Sequence, residues 1–265
     1  MQMQLVTAKG TAINTTIAAL AAVTGDTLTV PIFPDAKKAW ILQVWADVQL
    51  AGTLRIRSPK GHDNVNGLRI DTVASDAVPL LPWGFPMRIY PGDALSVELA
   101  GSSTGGDEDF VSMLQAYEEL PGQSGRYLSP DDVQKRMLYL VSTENTITTG
   151  TNGQWGGAEA INAEIDQFQA DFEYAILGYK VDTECQATGY RSPNWANTRI
   201  GGPGVETEPW LTSDWFARIS RAYNMPLIPY FAGSDKASVL VDCLIDENGA
   251  DPTFTTYLAA MRRGS

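Results

Sequence analysis

Histidine is nearly absent from this chain, and its scarcity removes whole classes of chemistry. His62 is the only histidine among 265 residues, which excludes a multi-histidine metal site such as the one that double-domain cupins use for oxygen chemistry. A Ser-His-Asp triad would have to be built on His62, and no nucleophile-elbow sequence accompanies it. The surrounding residues 60–64 are typical of a loop, so we interpret His62 as a surface or turn residue and not as a catalytic base.

Cysteines and long apolar runs are scarce as well. Cys185 and Cys243 are the only two cysteines, too few for a disulfide framework in a chain of this length. We interpret them as buried free thiols, with a bridge between neighbouring strands as the alternative. No apolar run reaches the roughly 20 residues that a membrane-spanning helix requires, and no basic cluster precedes the short Ala-rich run 17–23. The sequence therefore predicts neither a spanning helix nor a secretory signal.

Basic clusters are missing from both halves of the chain. The net charge is −12, and residues 1–120 carry 8 basic and 13 acidic side chains (8 − 13 = −5), which leaves −7 for the remainder. A protein that grips phosphates directly usually does so with clustered Lys and Arg. We therefore expect no direct binding of nucleic acid, and interpret the acidity as a means of solubility and of control over self-association.

Acidic residues are abundant, but their spacing identifies no site. Asp107, Glu108 and Asp109 form the densest run; it lacks the spacing of a calcium loop, and we interpret it as a solvated hairpin tip. Any two of the 31 carboxylates could form a glycosidase pair, so the sequence selects none. Neither a Walker loop nor a dinucleotide fingerprint is present. The prediction is a protein that is not an enzyme, with no catalytic, cofactor-binding or metal-binding residue and no cofactor.

What the sequence does contain is a faint copy of itself. Residues 5–47 can be laid on residues 140–182 at a constant offset of 135 without a gap. After one and then four deleted residues, the further matches are Arg57-Ser58-Pro59 with Arg191-Ser192-Pro193 and Arg69-Ile70 with Arg199-Ile200. A period near 135 is the size of a whole domain. We interpret the chain as two related domains in tandem.

The strand pattern repeats together with these identities. Over residues 40–48 one parity is wholly apolar and includes Trp40, whereas the other holds Gln43 and Asp47. The alternation keeps its phase at the offset of 135, and such a period of two is typical of a half-buried strand. Trp40 is accordingly predicted in the core. Both halves also close alike, with Phe110 matched to Phe254.

Strand signals dominate the rest of the chain, and helices are few. In the first half, strands are predicted over residues 27–33, 40–48, 53–57, 68–73, 87–90, 94–99 and 110–117. Ser129 predicts the N-cap of a short helix that ends at Met137, and Ser213 predicts the cap of a second helix, inserted where the first domain has residues 74–81. Residues 161–172 follow helical spacing, so we predict a helix or an irregular insert there.

Two residue types remain candidates for contacts. Arg57 and Arg191 either pair with an acidic neighbour across a subunit contact or lie on the polar face of a strand that Ser-Pro ends, and we favour the second interpretation. Trp83 and Trp210 each stand beside a proline. They are predicted as exposed loop aromatics that pack in an interface, with a sugar-stacking platform as the alternative.

This architecture resembles the double (tandem) jelly-roll major capsid proteins of tailless icosahedral viruses and bacteriophages. The predicted fold class is all-β: two tandem antiparallel eight-stranded jelly-roll (β-sandwich) domains with a short linking helix and few additional helices. The first domain is expected over residues 1–120, the linker with its helix over residues 121–138, and the second domain over residues 139–265.

The resemblance implies a structural virion protein that forms trimeric pseudo-hexameric capsomers of an icosahedral shell, assembled in the host cytoplasm. The implied partners are further copies of the chain in a homotrimer and capsid lattice, other capsid proteins such as a vertex protein, and an internal membrane. Two alternatives stay open. One is a carbohydrate-binding or carbohydrate-cleaving two-domain sandwich, such as a phage fibre module or secreted hydrolase. The other is a lattice-forming surface or compartment protein unrelated to viruses.

Overall fold

The chain divides into two compact units. A computed structural model describes residues 1–11, 16–32, 38–61, 66–74, 77–101, 108–118, 126–148, 151, 153–183, 185–205, 209–245 and 251–263. The first unit is Leu5–Leu120, and the second unit comprises Met1–Gln4 and Pro121–Ser265. The predicted boundary at residues 121–125 lies outside the described residues, as does His62. Within the part of the chain that is described, no helix is long and apolar enough to cross a membrane.

The first unit is built from short strands that form two facing sheets. Its strands are β1 (Gln2–Gly10, of which residues 5–10 belong to this unit), β2 (Ala18–Ala19), β3 (Ala21–Ala22), β4 (Ala39–Asp47), β5 (Thr53–Arg57), β6 (Leu68–Asp71), β7 (Met87–Ile89), β8 (Ser96–Ala100) and β9 (Asp109–Tyr117). The strand orders are β3-β1-β9-β4-β7 and β2-β8-β5-β6. The core cluster takes Val6 and Ile41 from the first sheet and Leu54 and Val97 from the second. The two sheets therefore enclose one core.

The second unit is built in the same way. Its strands are β10 (Tyr127–Leu128), β11 (Met137–Thr146), β12 (Glu159–Ala160), β13 (Phe172–Val181), β14 (Cys185–Arg191), β15 (Ile200–Gly204), β16 (Ile228–Ala232), β17 (Leu240–Leu244) and β18 (Thr253–Arg262). The sheets are ordered β10-β16-β13-β18-β11 and β12-β17-β14-β15. Tyr190 of the second sheet and Thr256 of the first meet at 2.8 Å between their hydroxyl oxygens, both fully buried, so polar as well as apolar groups join the sheets.

The two units share one strand order. When β3 and β10 are set aside, the described residues of each unit form eight strands, which can be numbered one to eight along the chain. In both units the first sheet then pairs strands one, eight, three and six, and the second sheet pairs strands two, seven, four and five. The specified pairings in both units are antiparallel. The mostly-β, antiparallel fold class predicted from the sequence is confirmed at this level.

A β-bulge recurs at the same place in both units. The pairing of β4 with β9 skips Leu42, and the pairing of β13 with β18 skips Leu177; the two leucines are 135 positions apart (177 − 42 = 135). A bulge inserts one unpaired residue and reverses the facing of the side chains that follow. Ala39 and Ile41 therefore face the core before the bulge, and Val44 faces it afterwards.

This bulge corrects the predicted alternation over residues 40–48. Trp40, predicted in the core, is only half-buried. Since the parity changes at Leu42, Trp40 lies on the same side of the sheet as Gln43 and opposite to Val44. The prediction was wrong because Leu42 is apolar and fits either parity, which hides the extra residue from the pattern.

Two of the residue matches between the halves are shifted in the structure. Ala46 pairs with Val111 and Val181 pairs with Phe254, so Val111, and not Phe110, is the counterpart of Phe254. Likewise Ile56 pairs with Leu68 as Tyr190 pairs with Ile200. Arg199 is therefore not the counterpart of Arg69, although the sequence match placed the two together.

Helices occur in the second unit. The helix α1 (Pro130–Arg136) begins at Ser129, whose Oγ accepts a hydrogen bond from the Asp132 N–H at 3.2 Å, so the predicted N-cap is confirmed. The helices α2 (Pro209–Thr212) and α3 (Trp215–Tyr223) lie between β15 and β16, the predicted place of the insert. The N-cap of α3 is Asp214, and not Ser213 as predicted, and its side chain caps no backbone N–H.

Residues 161–171 form turns and irregular chain, so of the two predicted alternatives, a helix or an irregular insert, the second is confirmed. The Thr143 hydroxyl donates to the Ile161 carbonyl at 2.9 Å and ties this segment to β11. The strand predicted over residues 27–33 is reduced to a single bridge between Thr29 and Ala94, and Phe33 lies outside the described residues.

Candidate functional site

A carboxylate is buried in the second sheet of the first unit. Glu98 on β8 accepts hydrogen bonds from Arg55 and Arg57 on β5. Its side chain is almost inaccessible to water, whereas both arginines reach the surface. Burial raises the pKa of the Glu98 carboxyl, but the hydrogen bonds from Arg55, Ser96 and Arg57 outweigh this and hold the pKa below its usual value. The two arginines therefore keep the Glu98 carboxylate ionised and hold it in place by hydrogen bonds.

The second unit buries a carboxylate at the equivalent place. Asp242 on β17 is fully buried and lies 3.0 Å from Arg191 Nε and 3.1 Å from Arg199 Nη2. The Arg199 guanidinium also lies 3.6 Å from the ring centroid of Trp155. Arg199 is thus held between a carboxylate and an aromatic face, an arrangement in which a desolvated cation gains from the ring quadrupole.

The strand registers show which members of the two clusters correspond. Arg55 pairs with Glu98 as Gly189 pairs with Asp242, so Gly189 stands where the first unit has an arginine. A Cβ on Gly189 would lie 2.1 Å from Asp242 Oδ1 and 2.9 Å from Arg199 Cδ. The glycine leaves the space that Arg199 fills.

Arg57 and Arg191 hold equivalent positions in these clusters. Each is the last residue of its strand, β5 or β14, directly before Ser-Pro. Each contacts the buried carboxylate of its own sheet, which fits the structural interpretation favoured from the sequence. Because each carboxylate is paired with two arginines, each cluster joins neighbouring strands of one sheet and offers no free acid or base.

The prediction of a solvated hairpin tip at the acidic run is wrong for Asp109. Asp107 lies outside the described residues, but Asp109 is fully buried at the start of β9. Glu108 forms an ion pair with Lys9 at 2.9 Å. Among the described residues, no group of three or more His, Cys, Asp or Glu side chains is placed to hold a metal ion.

The two cysteines and the two loop tryptophans have different outcomes. Cys185 and Cys243 are buried and free, in agreement with the interpretation as free thiols and against the alternative of a bridge. Trp210 is 59% exposed, as predicted, whereas Trp83 is half-buried. Two residues beyond Trp83, Phe85 is 76% exposed and provides the exposed aromatic of that loop.

Among the described residues, the largest run of exposed apolar side chains lies on β11. Met137, Leu138, Tyr139 and Leu140 follow one another directly and are each at least 40% exposed. Single exposed apolar residues are common on soluble proteins, but a contiguous group is typical of an interaction surface. An apolar groove of about 240 Å³ between α1 and α3 adjoins this run, because Met137 also lines the groove together with Val133 and Leu177.

Sequence reasoning missed both the buried carboxylates and the exposed strand. Glu98 and Asp242 both lie on the polar parity of their alternating runs, where the pattern predicts exposed carboxylates. The pattern therefore did not indicate that these two side chains are buried. The apolar run at Met137 did not indicate exposure either, since a fully buried strand has the same composition.

Comparison with known proteins identifies no family. No protein-family model and no curated protein sequence matches the chain. Similar solved structures include the PBSX exported protein XepA, with a TM-score of 0.29 and 9% identity over 97% of this chain and 86% of that one. They also include the STIV major capsid protein, with a TM-score of 0.24 and 9% identity over 99% of this chain and 88% of that one. At TM-scores below 0.5 these likenesses assign no function.

Proposed function

We propose that both units are eight-stranded jelly rolls and that the chain is the major capsid protein of an icosahedral virus or bacteriophage. The observation that carries the proposal is the repeated strand order, one-eight-three-six and two-seven-four-five, in both units. Jelly rolls of two four-stranded sheets are typical of viral capsid proteins, as well as of lectins and cupins. The shared bulge at Leu42 and Leu177 supports an origin of both units from one ancestral domain.

Duplication within one chain has a geometric use in a shell. In the proposal three chains form a homotrimer whose six similar domains make a pseudo-hexameric capsomer, which tiles a lattice of six-fold character. The first domain is residues 1–120, the linker with α1 is residues 121–138, and the second domain is residues 139–265. Two domains in one chain can diverge and make unlike contacts, whereas six identical ones could not.

The differences between the units fit such a division of contacts. The second unit carries α1, α2 and α3, and the exposed run on β11. In the first unit, exposed apolar side chains are scattered, as with Phe85 and Val73. We infer that the second unit provides the larger share of the apolar contacts between copies.

The proposed location is the virion, after assembly in the host cytoplasm. Further partners would be a vertex protein and an internal membrane beneath the shell. The acidic charge of both halves favours a shell that does not coat the genome directly. In the proposed role the chain is not an enzyme and needs no cofactor, and the buried carboxylates Glu98 and Asp242 act in packing.

Size-exclusion chromatography with light scattering tests the proposal directly. We expect trimers, or larger particles whose mass is a multiple of three chains, and closed shells by negative-stain electron microscopy of the purified protein. A chain that stays monomeric at high protein concentration contradicts the proposal.

A second candidate function has one observation in its favour. Trp210 is exposed on α2, and an exposed tryptophan can stack on a sugar ring, so a carbohydrate-binding sandwich is the alternative. A glycan array separates the two functions: binding that is lost in Trp210→Ala would favour the alternative, and an array without binding would eliminate it.

A further inference from the structure

We propose that the open part of the β11 edge, centred on Leu140, binds the same segment of a second copy of this chain across a two-fold axis. The inference deepens the proposed function and rests on it, because it names one surface through which copies meet. It is carried by a free strand edge, by exposed apolar side chains on that edge, and by the charges at its two ends.

The strand β11 lies at the edge of its sheet. In the order β10-β16-β13-β18-β11, its one partner among the described residues is β18. The equivalent strand of the first unit, β1, pairs with β9 on one side and on the other with β3, through Ala8 and Lys9. The strand β3 thus covers only the second half of β1.

Side chains already cap the second half of this edge. The Gln167 Nε2 donates to the Ser142 carbonyl at 3.2 Å, and the Thr146 N–H donates to Glu164 Oε1 at 2.6 Å. Both backbone groups therefore point away from β18. In an antiparallel strand the outward groups recur at every second residue, so the N–H and C=O of Leu140 also point outward. Among the described residues, no side chain is bonded to them.

The open half of the edge is also its apolar half. Leu140 is 63% exposed, and Met137, Leu138 and Tyr139 accompany it. Residues 137–143 contain no charged side chain. Native sheets usually protect an exposed edge with charges, a proline or a covering segment. An edge that is open, apolar and uncharged is the surface that a further strand fits.

Charge favours a second copy in antiparallel orientation as the occupant. Lys135 is exposed in the last turn of α1, just before β11, and Arg263 is exposed near the start of β11 because Met261 pairs with Met137. Glu144 and Glu164 are exposed at the other end. Antiparallel pairing places the basic end of each copy beside the acidic end of the other, whereas parallel pairing would place like charges together.

Leu140 then lies on the two-fold axis. Its outward N–H donates to the carbonyl of the same residue in the second copy, and its carbonyl accepts the reciprocal bond, so one residue satisfies both groups in an isologous contact. The uncharged segment is also where two chains of net charge −12 can approach with the least repulsion.

Disulfide trapping tests this geometry. In a hydrogen-bonded antiparallel pair the opposed Cα atoms are about 5.5 Å apart, within the range of roughly 4.4–6.8 Å that a disulfide requires. We expect mild oxidation of Leu140→Cys to give a covalent dimer on non-reducing electrophoresis. The native Cys185 and Cys243 are buried and should not interfere. Val73→Cys is the matched control, since Val73 is 48% exposed on the first unit, and it should give no dimer.

A second variant measures the association itself. Leu140→Lys places two like charges at the axis and should weaken self-association at least tenfold in analytical ultracentrifugation. Its thermal unfolding should match that of the unmodified chain, because Leu140 is exposed. Unchanged association in Leu140→Lys contradicts the proposed surface.

The outcomes separate this surface from the proposed function. If the unmodified chain forms shells while Leu140→Cys gives no dimer although its thiol reacts with maleimide, the surface is wrong and the function stands. If the covalent dimer forms but trimers and shells do not, the surface stands and the function is wrong. A chain that is monomeric at high protein concentration and forms no covalent dimer contradicts both.

Discussion

Gln43 in the first unit and Gly178 in the second follow the same bulge, and they attach the next segment to the sheet in opposite ways. The Gln43 Nε2 donates to the Leu81 carbonyl at 2.9 Å, and its Oε1 accepts from the Leu81 N–H at 2.8 Å. Gly178 has no side chain, and a Cβ there would lie 2.3 Å from the Thr212 carbonyl oxygen. In the first unit a side-chain amide joins β4 to the next segment, whereas in the second unit the backbone of that segment packs directly against β13.

The buried carboxylates Glu98 and Asp242 show the same kind of difference between the units. Glu98 takes its second arginine, Arg55, from the neighbouring strand, whereas Asp242 takes Arg199 from the residue just before β15 and has Gly189 opposite. In both comparisons a glycine in the second unit replaces a long polar side chain of the first. The strand order is the same in both units. In the second unit, residues from other segments, Thr212 and Arg199, occupy the space next to these glycines.

The largest expected effect concerns α3, the helix that the second unit carries between β15 and β16. Phe216 on α3 is fully buried, and its ring centroid lies 6.0 Å from that of Tyr190. Truncation of such an aromatic leaves a cavity, so Phe216→Ala should lower the free energy of unfolding by about 3–5 kcal/mol in urea denaturation. The exposed Phe85→Ala is the control and should change it by less than about 0.5 kcal/mol. Equal effects would mean that α3 is not part of the core.

The next effect concerns the buried carboxylate of the second unit. Asp242→Ala leaves Arg199 and Arg191 without their carboxylate, and we expect a loss of about 3 kcal/mol, since breaking a buried ion pair strands the remaining charge. Hydrogen exchange read by mass spectrometry should show the loss of protection in β14 and β17 and not in the first unit. Asp166→Ala, which removes an exposed partner of Lys236, should have little effect. Loss of protection in both units would mean that the units do not unfold separately.

The paired bulge positions predict effects of intermediate size. Gly178→Ala forces a Cβ against the Thr212 and Ser213 backbone, and should cost about 1–3 kcal/mol through overpacking. Gln43→Ala leaves the buried N–H and C=O of Leu81 unpaired, and should cost about 1–3 kcal/mol for a different reason. Urea denaturation measures both. If Gly178→Ala is neutral, the close approach at the bulge does not distinguish the units.

The sequence was most informative where local signals agree. The strand over residues 53–57 was predicted to the residue, because alternating Leu54 and Ile56 are bounded by Gly52 and by Ser-Pro. The start of α1 followed from the cap at Ser129, which acts within four residues. The offset of 135 between the halves also survives in the structure, in the positions of the two bulges.

The rest depended on contacts between distant parts of the chain. The bulge at Leu42 is invisible to a pattern of apolar residues, because leucine fits both parities. The partners of Glu98 and Asp242 lie about 40 residues away along the chain. Residues 161–171 have helical spacing, which left a helix and an irregular insert open, and the contact of Ile161 with the distant Thr143 could not be predicted from that spacing. The exposure of Leu140 depends on which strand ends the sheet.

The smallest expected effect is the acid sensitivity of the first unit. The pKa of Glu98 is lowered in the folded chain, so its contribution to stability is fully present above the unfolded pKa of about 4.3 and is lost as the pH falls through the folded pKa. Glu98→Gln keeps the shape but removes the charge. We therefore expect the difference in unfolding free energy between the unmodified chain and Glu98→Gln to be largest near pH 7 and to shrink towards pH 3. Urea denaturation at a series of pH values measures this difference. A gap that does not change with pH would mean that the two arginines bind the neutral amide as well as the carboxylate, and that the cluster in the first unit is held by shape and not by charge.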